Sequence, residues 1–258
     1  SFYDATGAFR DMVVTHLFQV LAFVAMEPPV ELAPAAITVE KNKVFRSMLP
    51  LDPANVVRGQ YAGYLAEEGV ARDSDTETFA ALRLEVDNPR WRGVPFFLRT
   101  GKALDRSAAD IAVVFKPVPY GGKDPFEQPN VLLLRIQPLE GVNLQFNIKQ
   151  PGTLSTVTQV DMDFCQTCRF PGQSPDAYVR LLRDAWVGDL NLFTRWDEIE
   201  AAWTLVDSIQ ALRADIGLET YPRGSAGPDA ARRLLEQDNR SWIEPEDKLP
   251  GSCGSCCS

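Results

Sequence analysis

The 258-residue sequence predicts an α+β fold built on a large, mainly antiparallel sheet with helices packed on one face. Three observations lead to this prediction. Apolar residues recur at helical spacing near the start of the chain, β-rich runs then follow one another without helices between them, and the helical period returns near the end. Helices, then strands, then helices in separate blocks are typical of α+β domains.

The helices at the start of the chain follow from the spacing of apolar residues. From Asp4 to Glu27 apolar side chains recur every three or four residues, and the pattern ends at Pro28-Pro29. We therefore expect one long first helix. A second helix is predicted over residues 34–48, where apolar and charged positions again alternate at helical spacing.

The predicted sheet comes from the runs VVRGQY, TFAALRLEV, VPFFLRT, IAVVFKPV, NVLLLRIQP, VNLQFNIK and TVTQVDMDF. Gly, Pro and Asn turns separate these runs. The closing helices are predicted in DAYVRLLRDAW, WDEIEAAWTLVDSIQALRAD and PDAARRLLEQ. Residues 1–250 are expected to form one domain, followed by a Cys/Gly/Ser-rich tail at 251–258.

Composition argues against two classes of function. The net charge is −9 at pH 7, and no run of Lys and Arg offsets it, so nucleic acid is not an expected partner. The most apolar stretch, Leu17 to Met26, is too short to cross a bilayer, and no cleavable signal pattern opens the chain. We expect a cytoplasmic protein. A phosphorylated small molecule still fits, because a few well-placed cations suffice to bind one phosphate group.

The sequence pattern does not predict a dinucleotide site. No G-x-G-x-x-G motif follows a strand, no P-loop occurs, and the predicted strands do not alternate with helices. If the function uses a nucleotide, another segment has to supply its site.

His16 is the natural candidate for a general base, since it is the only histidine and this side chain titrates near neutral pH. A single helix histidine is more often structural than catalytic. Asp11 lies five residues earlier, and on a regular α-helix the two side chains would point about 140° apart. We therefore expect them to flank one ligand rather than to pair directly. Asp11 could also be a solvated carboxylate paired with Arg10.

Further polar residues could bind an anion or a sugar hydroxyl. Lys102 follows Gly101 at the end of a predicted strand, where glycine permits a ligand to approach closely. An exposed turn lysine is the alternative interpretation. Arg106 is near in sequence but need not converge with Lys102, and Gln137 in LLLRIQP is equally ambiguous.

Two cysteine pairs have the C-x-x-C spacing, Cys165 with Cys168 and Cys253 with Cys256. Four thiolates could close a zinc site, and each pair could form a redox disulfide. The pairs lie far apart in sequence, however, and inert or incidental cysteines are the favoured interpretation.

The segment FYDATGAFRDMVVTHLFQVLAFVAMEPP closely resembles the part of glucose-6-phosphate dehydrogenases that carries their catalytic histidine, [YF]-[YF]-D-x-x-G-x-x-R-D-M-x-x-N-H-L. The resemblance continues in the family's order through VVRGQY, DSDTETFAALRLEVDNPRWRGVPFFLRTGKAL, LLLRIQP, DAYVRLLRDAWVGDLNLFTRWDEIEAAW and YPRGSAGP. It covers nearly the whole chain except the tail, and it implies the C-terminal substrate-binding and oligomerising domain of such an enzyme.

The resemblance implies a role for each matched residue. His16 would take the proton from the C1 hydroxyl of glucose 6-phosphate while hydride leaves for NADP, giving 6-phosphoglucono-lactone in the first step of the pentose phosphate pathway. Asp11 would bind the sugar, and Lys102, in the family's R-x-G-K-x-L motif, would contact glucose 6-phosphate. Gln137 in R-I-Q-P would contribute less. The family also implies a homodimer or a higher homo-oligomer.

The sequence departs from the family pattern in three ways. Thr15 stands where the family has Asn before its histidine, and Ser107 stands where many members keep a second substrate-binding cation, with Arg106 adjacent as a possible substitute. The family's G-x-x-G-D-L and R-I-D-H-Y-L-G-K segments would precede Ser1. NADP would be bound mainly by that missing part, so we expect this chain alone to be inactive. The alternatives are a non-catalytic oligomerisation or regulatory relative, and a thiol or metal sensor.

Overall fold

The computed structural model describes residues 2–116, 128–138, 140–153, 156–169, 177–189, 193–211 and 213–244. The chain divides into two compact units. Unit 1 comprises Ser1–Asp105 and Arg180–Trp242, and unit 2 comprises Arg106–Val179 and Ile243–Ser258. One domain over residues 1–250 stays a prediction, and the tail at 251–258 lies outside the described residues.

The first helical region is interrupted, whereas the sequence predicted one regular helix. It consists of α1 (Phe2–Ala8), a π-helical segment (Phe9–Leu17) and α2 (Phe18–Ala25). At Gly7 the backbone leaves the helical conformation, with φ 71° and ψ 172°. By length and composition alone Phe2–Ala25 would suit a membrane span, a property that it shares with the core helices of folded domains. Here Phe9, Val13 and Phe18 are buried in the core of unit 1.

The remaining α-helices of the described residues are α3 (Pro34–Ser47), α4 (Gln166–Arg169), α5 (Ala177–Val187), α6 (Trp196–Ala211) and α7 (Asp229–Glu236). Short 3₁₀ turns occur at Pro53–Asn55, Tyr64–Ala66 and Arg213–Asp215. Pro34 is the first residue of α3, a position where proline's missing N–H costs no hydrogen bond. The helices predicted after the first one are confirmed.

Unit 1 contains a four-stranded sheet made of β1 (Val56–Tyr61), β2 (Phe79–Glu85), β3 (Pro95–Gly101) and β8 (Leu218–Tyr221). The strand order is β3-β2-β1-β8, with antiparallel pairing except between β1 and β8, which are parallel. The sequence did not predict β8, because a four-residue strand gives too short an alternation of apolar and polar positions to be recognised.

Helices cover both faces of this sheet, whereas the sequence predicted helices on one face. Ala80, Leu82 and Leu84 of β2 pack in one core cluster with the first helical region and α6. Phe79 and Ala81 point the other way and pack with α7 in a second cluster. Because neighbouring strand residues alternate between faces, a strand buried along its whole length requires a partner on each side.

Unit 2 contains a second four-stranded sheet of β4 (Ala109–Val114), β5 (Val131–Gln137), β6 (Gly141–Lys149) and β7 (Val157–Cys165), in that order and antiparallel throughout. Cys165 is disulfide-bonded, although the sequence favoured inert cysteines. The side chain of Cys168 and the cysteines of the tail lie outside the described residues.

The α+β class with mainly antiparallel pairing is confirmed. The strands predicted from the sequence all form, but they belong to two four-stranded sheets rather than to one large sheet. The ladder of β2 and β3 ends at Gly101, and Ala103 then turns the backbone with a positive φ of 53°. Strand β4 starts only at Ala109 and pairs with β5.

Candidate active site

The π-helical segment decides how Asp11 and His16 are presented. In a π-helix the N–H of each residue bonds to the carbonyl oxygen five residues earlier, as Phe18 N–H does to Val13 O at the end of this segment. Because a π-helix turns less per residue than an α-helix, positions five apart come nearer to one face. The angle of about 140° expected for a regular α-helix does not apply here, because Asp11 and His16 both lie on the π-helical segment. His16 is exposed and Asp11 is partly exposed.

Lys102 lies beside Asp11, with its Nζ 3.8 Å from Asp11 Oδ2. The lysine side chain is 48% exposed and that of Asp11 is 31% exposed, so water and a ligand can reach the pair. The Lys102 ammonium also lies 5.0 Å from the ring centroid of Tyr3 in a cation–π contact. Unit 1 thus pairs two of the residues predicted for the site, Asp11 and Lys102, and carries His16 on the same helical segment as Asp11.

The backbone of Lys102 is fixed on both sides. Its N–H donates to Thr78 O at 2.8 Å, and its carbonyl oxygen accepts from the Tyr221 hydroxyl at 2.7 Å. Tyr221 is fully buried, and burial raises its pKa to about 12. The hydroxyl therefore keeps its proton and remains a donor to Lys102 at neutral pH.

The start of the π-helical segment rests on Glu77, which is 1% exposed. Glu77 Oε1 accepts the N–H of Phe9 at 3.3 Å, and Glu77 O accepts the N–H of Ala8 at 3.0 Å. Arg58 Nε and Arg213 Nη2 lie 3.6 Å and 3.5 Å from Glu77 Oε2. Burial lowers the pKa of Arg58, and the neighbouring Arg213 charge lowers it further.

Tyr3 connects these two parts of the site. Its hydroxyl donates to Glu77 O at 3.4 Å, while its ring faces the ammonium of Lys102. Burial raises the pKa of Tyr3 strongly, and the charges of Glu77 and Asp11 raise it further. The phenol therefore stays protonated and remains a neutral donor to the carbonyl oxygen of Glu77.

Gln137 and Arg106 belong to unit 2. Gln137 is exposed at the end of β5 and precedes a cis peptide bond to Pro138. Arg106 forms an ion pair with Asp110, and burial raises the pKa of Asp110 although the Arg106 charge opposes this. The roles of Gln137 and Arg106 in substrate binding stay predictions.

Tyr3, Glu77 and Tyr221 were not singled out from the sequence. Gly7, an isolated glycine inside a helical pattern, was a signal of a special backbone conformation at that position, but it did not identify Glu77 as the contact. The π-helical segment also had a signal of its own. Its buried apolar residues recur five positions apart, from Phe9 to Val14 and from Val13 to Phe18, whereas those of a regular helix recur every three or four positions.

No group of three or more His, Cys, Asp or Glu side chains within the described ranges is arranged to hold a metal ion. The strand pairing described here also lacks consecutive parallel β-α-β units, which a dinucleotide-binding fold requires. The described strands therefore do not form a dinucleotide-binding fold. An imidazole, a carboxylate and an ammonium group on one unit instead suit proton transfer from a hydroxyl-bearing anion. Unit 1 therefore combines an α+β fold with a candidate acid–base site.

The chain belongs to the glucose-6-phosphate dehydrogenase family. The model of its C-terminal domain, "Glucose-6-phosphate dehydrogenase, C-terminal domain", matches residues 1–243. Family membership implies a nicotinamide cofactor for the enzyme as a whole. The match extends over both units, so the resemblance found in the sequence is confirmed.

Curated relatives agree with this assignment. The chain is 43% identical to glucose-6-phosphate 1-dehydrogenase 2 of Mycobacterium tuberculosis over 95% of its own length and 51% of the relative's. It is 40% identical to glucose-6-phosphate 1-dehydrogenase of Bacillus subtilis, over 93% of this chain and 53% of the relative. The chain therefore spans about half the length of the curated relatives it matches.

Solved structures show the same relation. A crystal structure of glucose-6-phosphate 1-dehydrogenase from Mycobacterium avium matches with a TM-score of 0.83 and 41% identity, over 96% of this chain and 53% of that chain. A glucose-6-phosphate dehydrogenase in complex with its substrate glucose-6-phosphate matches with a TM-score of 0.86 and 33% identity, over 94% of this chain and 52% of that one.

Proposed function

We propose that this chain is the sugar-phosphate-binding and proton-accepting part of a glucose-6-phosphate dehydrogenase that oxidises glucose 6-phosphate to 6-phosphoglucono-lactone. NADP is the proposed cofactor; it would accept the hydride of C1 and would be held by a part of the enzyme outside the described residues. The proposal rests on the family, on the relative solved with glucose-6-phosphate, and on the residues that unit 1 brings together.

One observation carries the proposal: Asp11, which forms an ion pair with Lys102, lies on the π-helical segment that also carries His16. In the proposed reaction the C1 hydroxyl of the sugar loses its proton to the imidazole of His16. Loss of this proton stabilises C1 as it becomes a carbonyl carbon. Asp11 accepts hydrogen bonds from sugar hydroxyls, and Lys102 supplies positive charge to the substrate. Gln137 and Arg106 are proposed as further substrate contacts from unit 2.

We also propose that the enzyme is a homo-oligomer. Strand β7 lies at an edge of the unit 2 sheet and exposes the apolar side chains of Met162 and Phe164, which are 61% and 48% exposed. Exposed apolar side chains on a sheet edge favour association between protein surfaces.

A complementation assay tests the catalytic proposal. The chain is mixed with, or joined to, the nucleotide-binding half of the Mycobacterium tuberculosis relative, and glucose-6-phosphate-dependent reduction of NADP is followed. We expect activity with the wild-type chain, and His16→Asn should lower kcat by about 10²- to 10⁴-fold because a general base is lost. Lys102→Met should instead raise KM for glucose 6-phosphate about 10- to 100-fold, the loss expected for a charge-assisted contact.

Glu200→Ala is the matched control, since this exposed carboxylate lies on α6 and takes no part in the site. Its kcat and KM should equal those of the wild type. If the two halves associate without activity, or if His16→Asn keeps the wild-type kcat, the catalytic proposal is wrong and the non-catalytic alternative replaces it.

A further inference from the structure

Two consecutive residues, Glu77 and Thr78, contact both the segment that carries Asp11 and the backbone of Lys102. Glu77 accepts the N–H groups of Ala8 and Phe9, where the π-helical segment with Asp11 begins. Thr78 O accepts the N–H of Lys102 at 2.8 Å. We name this pair the Glu77–Thr78 brace.

The geometry points to Glu77 as a positioning residue for the sugar-phosphate site: we propose that its carboxylate fixes the start of the π-helical segment and thereby the separation of Asp11 from Lys102. This inference deepens the proposed function and rests on it. Glu77 contacts neither the Asp11–Lys102 pair nor His16. It therefore acts through the backbone of residues 8 and 9.

Gly7 shows how closely the carboxylate approaches this backbone. A Cβ atom at position 7 would lie 2.3 Å from Glu77 Oε1 and 2.9 Å from Glu77 Cδ. The combination of φ 71° and ψ 172° is also one that essentially only glycine adopts. The backbone can therefore bend onto Glu77 only because position 7 lacks a side chain.

The carboxylate has a second role, which has to be separated from the first. Its Oε2 faces Arg58 and Arg213 at 3.6 Å and 3.5 Å, so its charge balances two partly or fully buried cations. Charge balance contributes to the stability of unit 1. The hydrogen bond from Phe9 N–H to Oε1 is what positions the segment.

Two substitutions separate these roles. Glu77→Asp keeps the charge, but its side chain is one methylene shorter and does not reach the N–H of Phe9. Glu77→Gln keeps the length and the acceptor oxygen but loses the charge. A positioning role predicts that Glu77→Asp weakens substrate binding more than Glu77→Gln does, while Glu77→Gln loses more stability.

The experiment measures glucose 6-phosphate binding to the full chain by titration calorimetry, with urea unfolding of each variant alongside. We expect Kd to rise about tenfold in Glu77→Asp, the effect of one unpaired buried donor, and about threefold or less in Glu77→Gln. Glu198→Gln is the control, since this buried carboxylate on α6 contacts α3 and not the site. Its Kd should equal the wild-type value at a lower stability.

The inference is overturned if Glu77→Asp binds glucose 6-phosphate as tightly as the wild type. It is also overturned if affinity falls in proportion to the free energy of unfolding across Glu77→Asp, Glu77→Gln and Glu198→Gln. A wild-type chain that does not bind glucose 6-phosphate would instead contradict the proposed function itself. If Glu77→Asp does not fold, Gly7→Ala takes its place, because the added methyl group displaces the same carboxylate; an unchanged Kd would then overturn the inference.

Discussion

Glu77 and Glu198 are the two most deeply buried carboxylates among the described residues of unit 1, and they have different partners. Glu198 on α6 is bound by side chains of α3: Thr38 donates to its Oε1 at 2.5 Å, and Lys41 forms an ion pair with its Oε2. Glu77 is bound on one oxygen by the backbone N–H of Phe9 and faces two arginines with the other. One carboxylate thus joins two helices, and the other holds a bent backbone.

The difference shows two uses of a buried charge. Removing a carboxylate from water costs free energy. Attraction to a lysine in direct contact offsets part of this cost and holds the two helices together. A carboxylate that accepts backbone N–H groups stabilises a conformation that the chain would not otherwise adopt. The first use concerns stability and the second concerns the geometry of Asp11 and His16. Three substitutions test this distinction.

The largest effect on stability is expected for Glu198→Ala. It leaves Lys41 buried at 5% exposure without its partner, so we expect the free energy of unfolding to fall by about 3–5 kcal/mol. The affinity of the folded protein for glucose 6-phosphate should not change. Urea unfolding and titration calorimetry measure the two quantities, with the exposed Glu200→Ala as control. A drop in affinity without a drop in the free energy of unfolding would contradict the assignment of Glu198 to stability alone.

An intermediate effect is expected for Gly7→Ala, compared with Gly63→Ala. Both glycines have positive φ, 71° and 94°, but an added Cβ meets Glu77 at position 7 and meets nothing within 4 Å at position 63. Backbone strain should cost about 1–3 kcal/mol at each position. Only Gly7→Ala should also weaken glucose 6-phosphate binding. Equal binding by both variants would argue against a special role for position 7.

The smallest effect is expected for Asp4→Asn, which concerns a third and less buried carboxylate. Hydrogen bonds from Ser74, and then from the Ala71 N–H and the Tyr64 hydroxyl, lower the pKa of Asp4 below the ordinary value of 3.8. A lowered pKa means that the ionised form stabilises the folded state above the unfolded pKa, and that this contribution is lost as pH falls through the folded pKa.

The stability difference between wild type and Asp4→Asn should therefore be constant from neutral pH down to about pH 4 and should shrink below it. Denaturant unfolding of both proteins across this pH range measures the difference. If the stability difference stays the same at acidic pH, the ionised form of Asp4 does not stabilise the contact between α1 and the loop near Ser74.

The sequence predicted the elements of the fold well because apolar periodicity determines helices and strands locally. It did not predict how the strands divide into two sheets, since the end of a ladder at Gly101 depends on pairing between distant residues. The short strand β8 was missed because it is defined by its parallel partner β1.

For the site, residue chemistry and family resemblance selected Asp11, His16 and Lys102. Unit 1 pairs Asp11 with Lys102 and carries His16 on the same segment as Asp11. Their arrangement could not be predicted, because a π-helical segment depends on tertiary contacts such as those of Phe9 and Glu77. Glu77 itself, 68 residues from Phe9 in sequence, carries no local signal of this contact.

The most direct test of the account uses the single histidine of the chain as a probe. The imidazole resonances of His16 are followed by NMR while glucose 6-phosphate is added to the wild-type chain and to Lys102→Met. We predict a saturable shift of the His16 signals, with the midpoint moved to about tenfold higher ligand concentration in Lys102→Met. His16 signals that stay unchanged while the wild-type chain binds glucose 6-phosphate would contradict a common site for Asp11, His16 and Lys102.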